Sequence, residues 1–282
     1  MQEGTIVCKN CHNQFHGEYC NKCGEKVYTD HDKTLGHFLE ESFHFFTHLD
    51  NKFFRSLWLV MTRPGFVSTQ ISHGIRKKYY KPLSLFIVGV ILYLLFPVFQ
   101  GLNTPMKYHL NDNRYGRVAQ YIADTKMKNK HLTLEELAHK YDAKSPSFAK
   151  VLLLIIIPLS ALALQLLTFY RKKYFFDQLT LASEINSFYL YFTFFVLPLL
   201  FILTVLVMRI FVHGWTFRLD DSILEPVVYT VVGAYTAIAF RRFYKEKMVW
   251  SIIKSALFLI AHSVIVYTIY RFILFCTVQL FI

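Results

Sequence analysis

The sequence lacks the signatures that would name an enzyme. No H-E-x-x-H, G-x-S-x-G or phosphate-binding glycine loop occurs. No signal peptide is expected at its start: Met1 to Thr5 is polar and Ile6-Val7 is the only apolar pair before the first cysteine. A signal peptide needs a basic start and an apolar core of roughly 7–15 residues, so nothing here is expected to direct export of the N-terminal segment. Acidic residues are scarce, with 19 Asp and Glu against 31 Lys and Arg and a net charge of +12. Such a balance suits nucleic acid, anionic lipid or the flanks of membrane spans. The cations gather at the ends of apolar runs rather than alternating with aromatics in a polar domain, which favours a membrane protein over a nucleic-acid groove. Cysteine is nearly confined to one place: four of the five lie between Cys8 and Cys23.

What the sequence has in abundance is apolar length. Hydrophobic residues make up 54% of the chain and aromatics 17%, above the usual share for a soluble domain. About 20 apolar residues cross a bilayer core. Runs near 83–100, 151–170, 186–208, 223–240 and 252–275 predict about five transmembrane helices. A long external loop is expected over 101–150. The fold class predicted is an all-α polytopic membrane protein with a small N-terminal zinc ribbon (1–33), an amphipathic interfacial segment (34–81) and a membrane domain (82–282). Basic clusters at Arg76-Lys77-Lys78-Lys81, at Arg171-Lys172-Lys173 and at Arg241-Arg242-Lys245-Lys247 fall on one side of a five-span chain. The positive-inside rule makes that side cytoplasmic, with the N-terminus inside and the C-terminus outside.

Cys8, Cys11, Cys20 and Cys23 form C-x2-C-x8-C-x2-C, a strong pattern for structural zinc held by four thiolates. Cys8 to His12 also spells C-x-x-C-H, a haem-attachment motif. That reading needs export and leaves the second pair unused. A redox C-x-x-C would need a βαβ setting that is absent. His12 and His16 are spare ligands. The segment has too few residues for a core, so the metal would supply most of its folding free energy. Lys9, Lys22, Lys26 and Lys33 nearly balance Glu3, Glu18, Glu25, Asp30 and Asp32, which favours a protein partner over nucleic acid.

Leu35, Phe38, Leu39, Phe43, Phe46, Leu49, Phe53, Leu57 and Val60 recur at helical steps, ending at Pro64-Gly65. An amphipathic helix on the membrane surface is expected. His37, Glu41, His44 and His48 share one stripe of it and form a second candidate metal or polar site. Arg76, Lys77, Lys78, Tyr79, Tyr80 and Lys81 read as lipid-interface anchors. Gln165 and His262 are candidate intramembrane polar residues, and Pro158 and Pro198 should kink their helices.

The ribbon, the aromatic helix and "TRPGFVSTQISHGIRKKYYKPLSLFIV", with Pro64, Gly74, Arg76, Tyr79 and Pro82, resemble an uncharacterised family of bacterial multi-span inner-membrane proteins, a domain of unknown function. The resemblance continues into a second cytoplasmic loop, "YRKKYFFDQLTLASEINSFYLYF", where the family often carries an acid followed by histidine; here Asp177-Gln178 and Glu184 stand without histidine. It implies the architecture and no activity. Three functions stay open: a docking or assembly scaffold presenting the ribbon, a transporter or channel between kinked spans, or a membrane enzyme acting on a lipid-linked substrate.

Overall fold

The computed structural model describes residues 5–27, 51–95, 104–171, 173–211 and 221–282. The chain is mostly helical. Strands β1 (Ile6–Val7) and β2 (Gln14–Phe15) pair antiparallel, with Ile6 opposite Phe15. Helices follow in order: α1 (Asn51–Thr62), α2 (Phe66–Ser72), α3 (Pro82–Leu95), α4 (Met106–Leu110), α5 (Gly116–Lys130), α6 (Leu134–Leu152), α7 (Ile156–Leu167), α8 (Phe175–Tyr191), α9 (Leu197–Phe211), α10 (Asp221–Tyr244), α11 (Met248–Val264) and α12 (Arg271–Phe281).

Three continuous helical stretches among the described residues are long and apolar enough to cross a membrane: Leu134–Leu167, Phe175–Val207 and Met248–Phe281. Pro82–Tyr93 is a shorter apolar helix. Each long stretch contains one irregular turn. A 3-10 turn at Leu153–Ile155 precedes Pro158, and a π turn at Phe192–Val196 precedes Pro198. Proline removes one helical N–H and its ring presses on the carbonyl four residues back, here Leu154 and Phe194, so each expected kink coincides with a local change of helical pitch.

The segment 101–150, expected as a loop, is helical from Met106 onward. A capping box starts α6: the Thr133 hydroxyl accepts the Glu136 N–H, and Glu136 accepts the Thr133 N–H at 2.8 Å. Leu137, Tyr141, Ser145 and Ala149 make its buried stripe. At 1.5 Å per residue, the 34 residues of Leu134–Leu167 run well past a bilayer core of about 30 Å. The polar half of that helix packs with α4 and α5 on α12. Lys126, Lys130 and Lys144 donate to the carbonyls of Gln279, Ile282 and Phe281, the last turn of α12, where cations are favoured. Beneath them His109 is fully buried, its ring bonded to Tyr115, Tyr141 and the Thr104 carbonyl. Burial pushes its imidazole down to about 4 although the Thr104 carbonyl opposes this, so it is neutral at physiological pH.

α8 is the centre of the bundle. Every residue from Phe176 to Tyr191 except Tyr189 is buried, including Asp177, Gln178, Thr180, Ser183, Glu184, Asn186 and Ser187. Four of these polar side chains bond back to the carbonyl four residues earlier: Thr180 to Phe176, Ser183 to Leu179, Asn186 to Ala182 and Ser187 to Ser183. Gln178, Glu184, Asn186 and Ser187 also reach neighbours, at Thr168 and Tyr244, Ser68 and Tyr235, His262, and the Pro82 carbonyl, and this ties the surrounding helices to α8.

Candidate metal centre and its dock on the helical domain

The two C-x-x-C turns are built alike. In the first, His12 N–H donates to the Cys8 carbonyl at 2.9 Å and Cys8 N–H to Asn13 at 2.8 Å. In the second, Gly24 N–H donates to the Cys20 carbonyl at 2.7 Å and Cys20 N–H to Glu25 at 2.9 Å. The residue after each second cysteine is left-handed: His12 has φ 59° and Gly24 φ 67°. His12 is thus the turn residue of the first knuckle, the counterpart of Gly24. The C-x-x-C-H spelling arises from that role.

The four Sγ atoms lie within 4.8 Å of one another. Cys8 and Cys23 sulfurs are 3.5 Å apart, and Cys11 and Cys20 sulfurs 3.6 Å. A disulfide needs about 2.05 Å, whereas four sulfurs at 2.3 Å around one tetrahedral ion stand about 3.8 Å apart. The spacing fits a metal ion and the cysteines are unpaired. The electrostatics fit too. Burial opposes ionisation of Cys20, yet the Cys23 and Lys22 N–H groups hold its thiol down at about 6. At Cys11 the Asn13 N–H favours the thiolate, but burial and the three neighbouring sulfurs outweigh it and push the thiol up to about 12. Four thiolates this close repel one another unless a cation lies between them. The cluster can bind a metal ion.

Glu25 joins this centre to the helices. Its backbone carbonyl closes the second knuckle, and its side chain, 5% exposed, accepts the N–H groups of Arg76 and Lys77 at 3.0–3.2 Å. Lys77 packs over Gly24, and the Lys9 side chain passes Gly74, which has φ 90°. Each glycine leaves room for a lysine of the other unit.

The stretch around Arg76 faces inward more than its composition suggests. Arg76 is buried with its guanidinium 4.6 Å over the Phe176 ring. Tyr79 and Tyr80 are buried, and Tyr80 N–H donates to Ser56 at 2.8 Å. Lys77 and Lys78 are exposed and Lys81 is half-buried. Of the six candidate anchors, only the lysines reach the surface. His37, Glu41, His44 and His48 lie outside the described residues.

Two buried carboxylates were not singled out by sequence. Glu184, assigned to a cytoplasmic loop, is inside α8. It accepts the Ser68 N–H at 2.6 Å, the Ser68 hydroxyl and, at 3.4 Å, the Tyr235 hydroxyl. It therefore binds the start of α2. The signal was available: from Tyr174 to Val207 the sequence has no Lys or Arg and only two acids. Glu246, in the turn between α10 and α11, holds Lys254, Arg171 at 2.9 Å and Tyr170 at 3.0 Å. Burial alone would raise its carboxyl, but Lys254, Tyr170 and Arg171 prevail and hold it below the ordinary 4.5. A depressed carboxylate stabilises fully above 4.5 and loses its contribution as pH falls through its lower folded value. Glu246→Gln should cost about 3 kcal/mol at pH 7, because Lys254 keeps a buried charge. The gap to wild type should close as the pH is lowered below about 4; thermal unfolding at both pH values checks this.

Of the intramembrane candidates, His262 bonds to Asn186 at 2.9 Å. The cavity beside them measures ≈ 20 Å³ and is otherwise apolar, room for a single water. Gln165 does not line it. Its Oε1 is buried with no hydrogen-bond partner among the described residues.

Residues 50–94 match a family described as a protein of unknown function (DUF3667). This matched stretch contains Gly65, Ser68, Gly74, Arg76, Lys77 and Pro82, residues that meet the ribbon, α8 or α10. No curated protein and no solved structure matches the chain.

Proposed function

We propose that the chain is a five-span protein of the bacterial inner membrane. Its cytoplasmic ribbon, folded by structural zinc, serves as a docking or assembly scaffold. The observation that carries this reading is the Glu25 latch. One residue closes the metal knuckle through its backbone and grips the approach to α3 through its carboxylate. Folding of the metal knuckle therefore sets the carboxylate that docks the ribbon on the bundle. Domain limits of 1–33, 34–81 and 82–282 accompany this reading.

Five crossings agree with which ends meet. Lys9, His73, Lys173 and Lys245 gather at the ribbon end, while the C-terminal turn of α12 meets Lys126, Lys130 and Lys144 at the other. α3, α6–α7, α8–α9, α10 and α11–α12 then cross alternately. Phe54 and Trp58 of α1 are exposed while Phe53 and Val60 are buried, as suits a helix lying on a membrane surface. Lys77 and Lys78 contact headgroups in this arrangement. The cavity beside His262 and Asn186, room for a single water, supports a scaffold over a transport path at that place. No nucleic-acid partner is proposed.

The partners copurifying with the full-length protein test the proposal. Cys20→Ser, which removes a metal thiolate, should lose them while leaving the protein in the membrane fraction. An unchanged set of partners would remove the basis for ribbon docking.

A further inference from the structure

Four basic side chains from four separate parts of the chain converge at the ribbon end. Lys9 follows the first metal thiol, His73 lies between α2 and α3, Lys173 precedes α8, and Lys245 turns between α10 and α11. A Cβ on Gly74 would stand 3.0 Å from Lys9 Cδ and 3.3 Å from its Nζ, so the ammonium sits beside Gly74, the residue after His73. Arg76, three residues after His73, lies 4.6 Å over the ring of Phe176, three residues after Lys173. Lys173 Nζ lies 5.1 Å from the centre of the Phe243 ring, two residues before Lys245. Burial first, then the fields of Lys173, Lys245 and Lys9, lower the His73 imidazole, with Asp177 opposing. His73 thus places an imidazole, less readily protonated than a free one, among three lysines.

Two acids at this end, among the described residues, are committed elsewhere. Glu25 holds the Arg76 and Lys77 backbone, and Glu246 holds Lys254 and Arg171. Asp177 is buried at the first turn of α8. No ion pair to Lys9, Lys173 or Lys245 occurs among the described residues. Among the described residues the cluster therefore carries more positive than negative charge.

Apolar surface begins where the cations end. Tyr174 and Phe175 follow Lys173, and Val249 and Trp250, 67% and 59% exposed, follow Lys245. Both pairs open candidate spans. Exposed aromatics next to cations, at the start of apolar helices, mark the headgroup level of a bilayer. A soluble phosphate would need the cations but not the flanking Trp and Val.

We propose that Lys9, His73, Lys173 and Lys245 form a binding site for the phosphate of an anionic phospholipid, whose acyl chains lie along Val249, Trp250 and Phe175. The site rests on the membrane reading above and extends it. It lies between the ribbon and the bundle, so the lipid is a third component of the dock.

Full-length protein in detergent micelles doped with phosphatidylglycerol or phosphatidylcholine tests the site, with retained lipid measured by mass spectrometry. A lysine near an anionic surface contributes about fivefold, so Lys9→Glu/Lys173→Glu/Lys245→Glu should lose at least tenfold of the phosphatidylglycerol preference. Lys107→Glu/Lys128→Glu/Lys140→Glu makes the same charge change at the other end and should keep it. Equal losses in both variants, or none in the first, would overturn the site. Inorganic phosphate should not displace the lipid; complete displacement would mean a free-anion site instead. Lys173→Glu/Lys245→Glu, which leaves the ribbon unaltered, decides the matter should the triple variant lose its metal. Fractionation with the membrane checks the premise separately.

Discussion

Cys20→Ser will empty the metal centre and unfold residues 5–27 while the helical bundle stands. The ribbon has two strands of two residues each and a core limited to Phe15, Cys8 and Cys20 with a few half-buried neighbours. Apolar burial on that scale cannot offset the ordering of so many residues. A structural zinc site supplies roughly 10 kcal/mol or more, and serine is a poor substitute for a thiolate. Bound metal should fall from stoichiometric to undetectable. Lys9, Lys22 and Lys26 should become early trypsin sites, whereas Lys254, buried against Glu246, should stay protected. Glu25→Ala separates fold from dock. It leaves the four thiolates in place, so metal should be retained, but the Arg76 and Lys77 N–H groups lose their acceptor. The ribbon should then be cut at its junction with the bundle while keeping its metal. Full protection and full metal in Cys20→Ser would mean that the ribbon does not depend on its thiolates.

The cysteine cluster was legible because its chemistry is local. Two C-x-x-C pairs eight residues apart need only a hairpin to bring four sulfurs within 4.8 Å. The break at Pro64-Gly65 was legible for the same reason: α1 ends at Thr62. Illegible residues were those whose partners lie far along the chain. Glu184 meets Ser68 across 116 positions and His262 meets Asn186 across 76. Mean hydropathy places a polar helix such as Phe175–Ile185 in a loop, because it scores polarity without regard to whether protein can satisfy it. Arg76, Tyr79 and Tyr80 misled in the opposite sense. Cations and tyrosines beside an apolar run suit a lipid interface, and only the position of Phe176 and Ser56 turns them inward. The helices of 106–152 were hidden by their charge density, since their narrow apolar stripe is completed by α12 rather than by neighbours in sequence.

Gly65→Ala should be among the most damaging single-methyl changes in the bundle. Gly65 precedes α2 with φ 70° and ψ 4°, a left-handed conformation that costs an alanine about 1–2 kcal/mol. A Cβ there would also stand 2.8 Å from both the Cα and the carbonyl oxygen of Ala239 in α10. Those are helix backbone atoms, and they cannot turn aside as a side-chain tip can. Overpacking of this kind adds about 1–3 kcal/mol. Relief by moving the chain is blocked on two sides, since Ser68 is held by Glu184 and the Pro64 carbonyl by Arg242. The sum, about 3 kcal/mol, corresponds to a fall of roughly 6–12 °C in Tm. Gly17→Ala is the internal control, with φ 96° and nothing within 4 Å of the added methyl; it pays the conformational cost alone and leaves the bundle transition unmoved. Ala239→Gly should fail to rescue Gly65→Ala, because it removes only the 3.1 Å contact to the Ala239 methyl and leaves both backbone contacts. A Gly65→Ala protein melting within a degree of wild type, or one restored by Ala239→Gly, would show that α2 and α10 approach less closely than the dock requires.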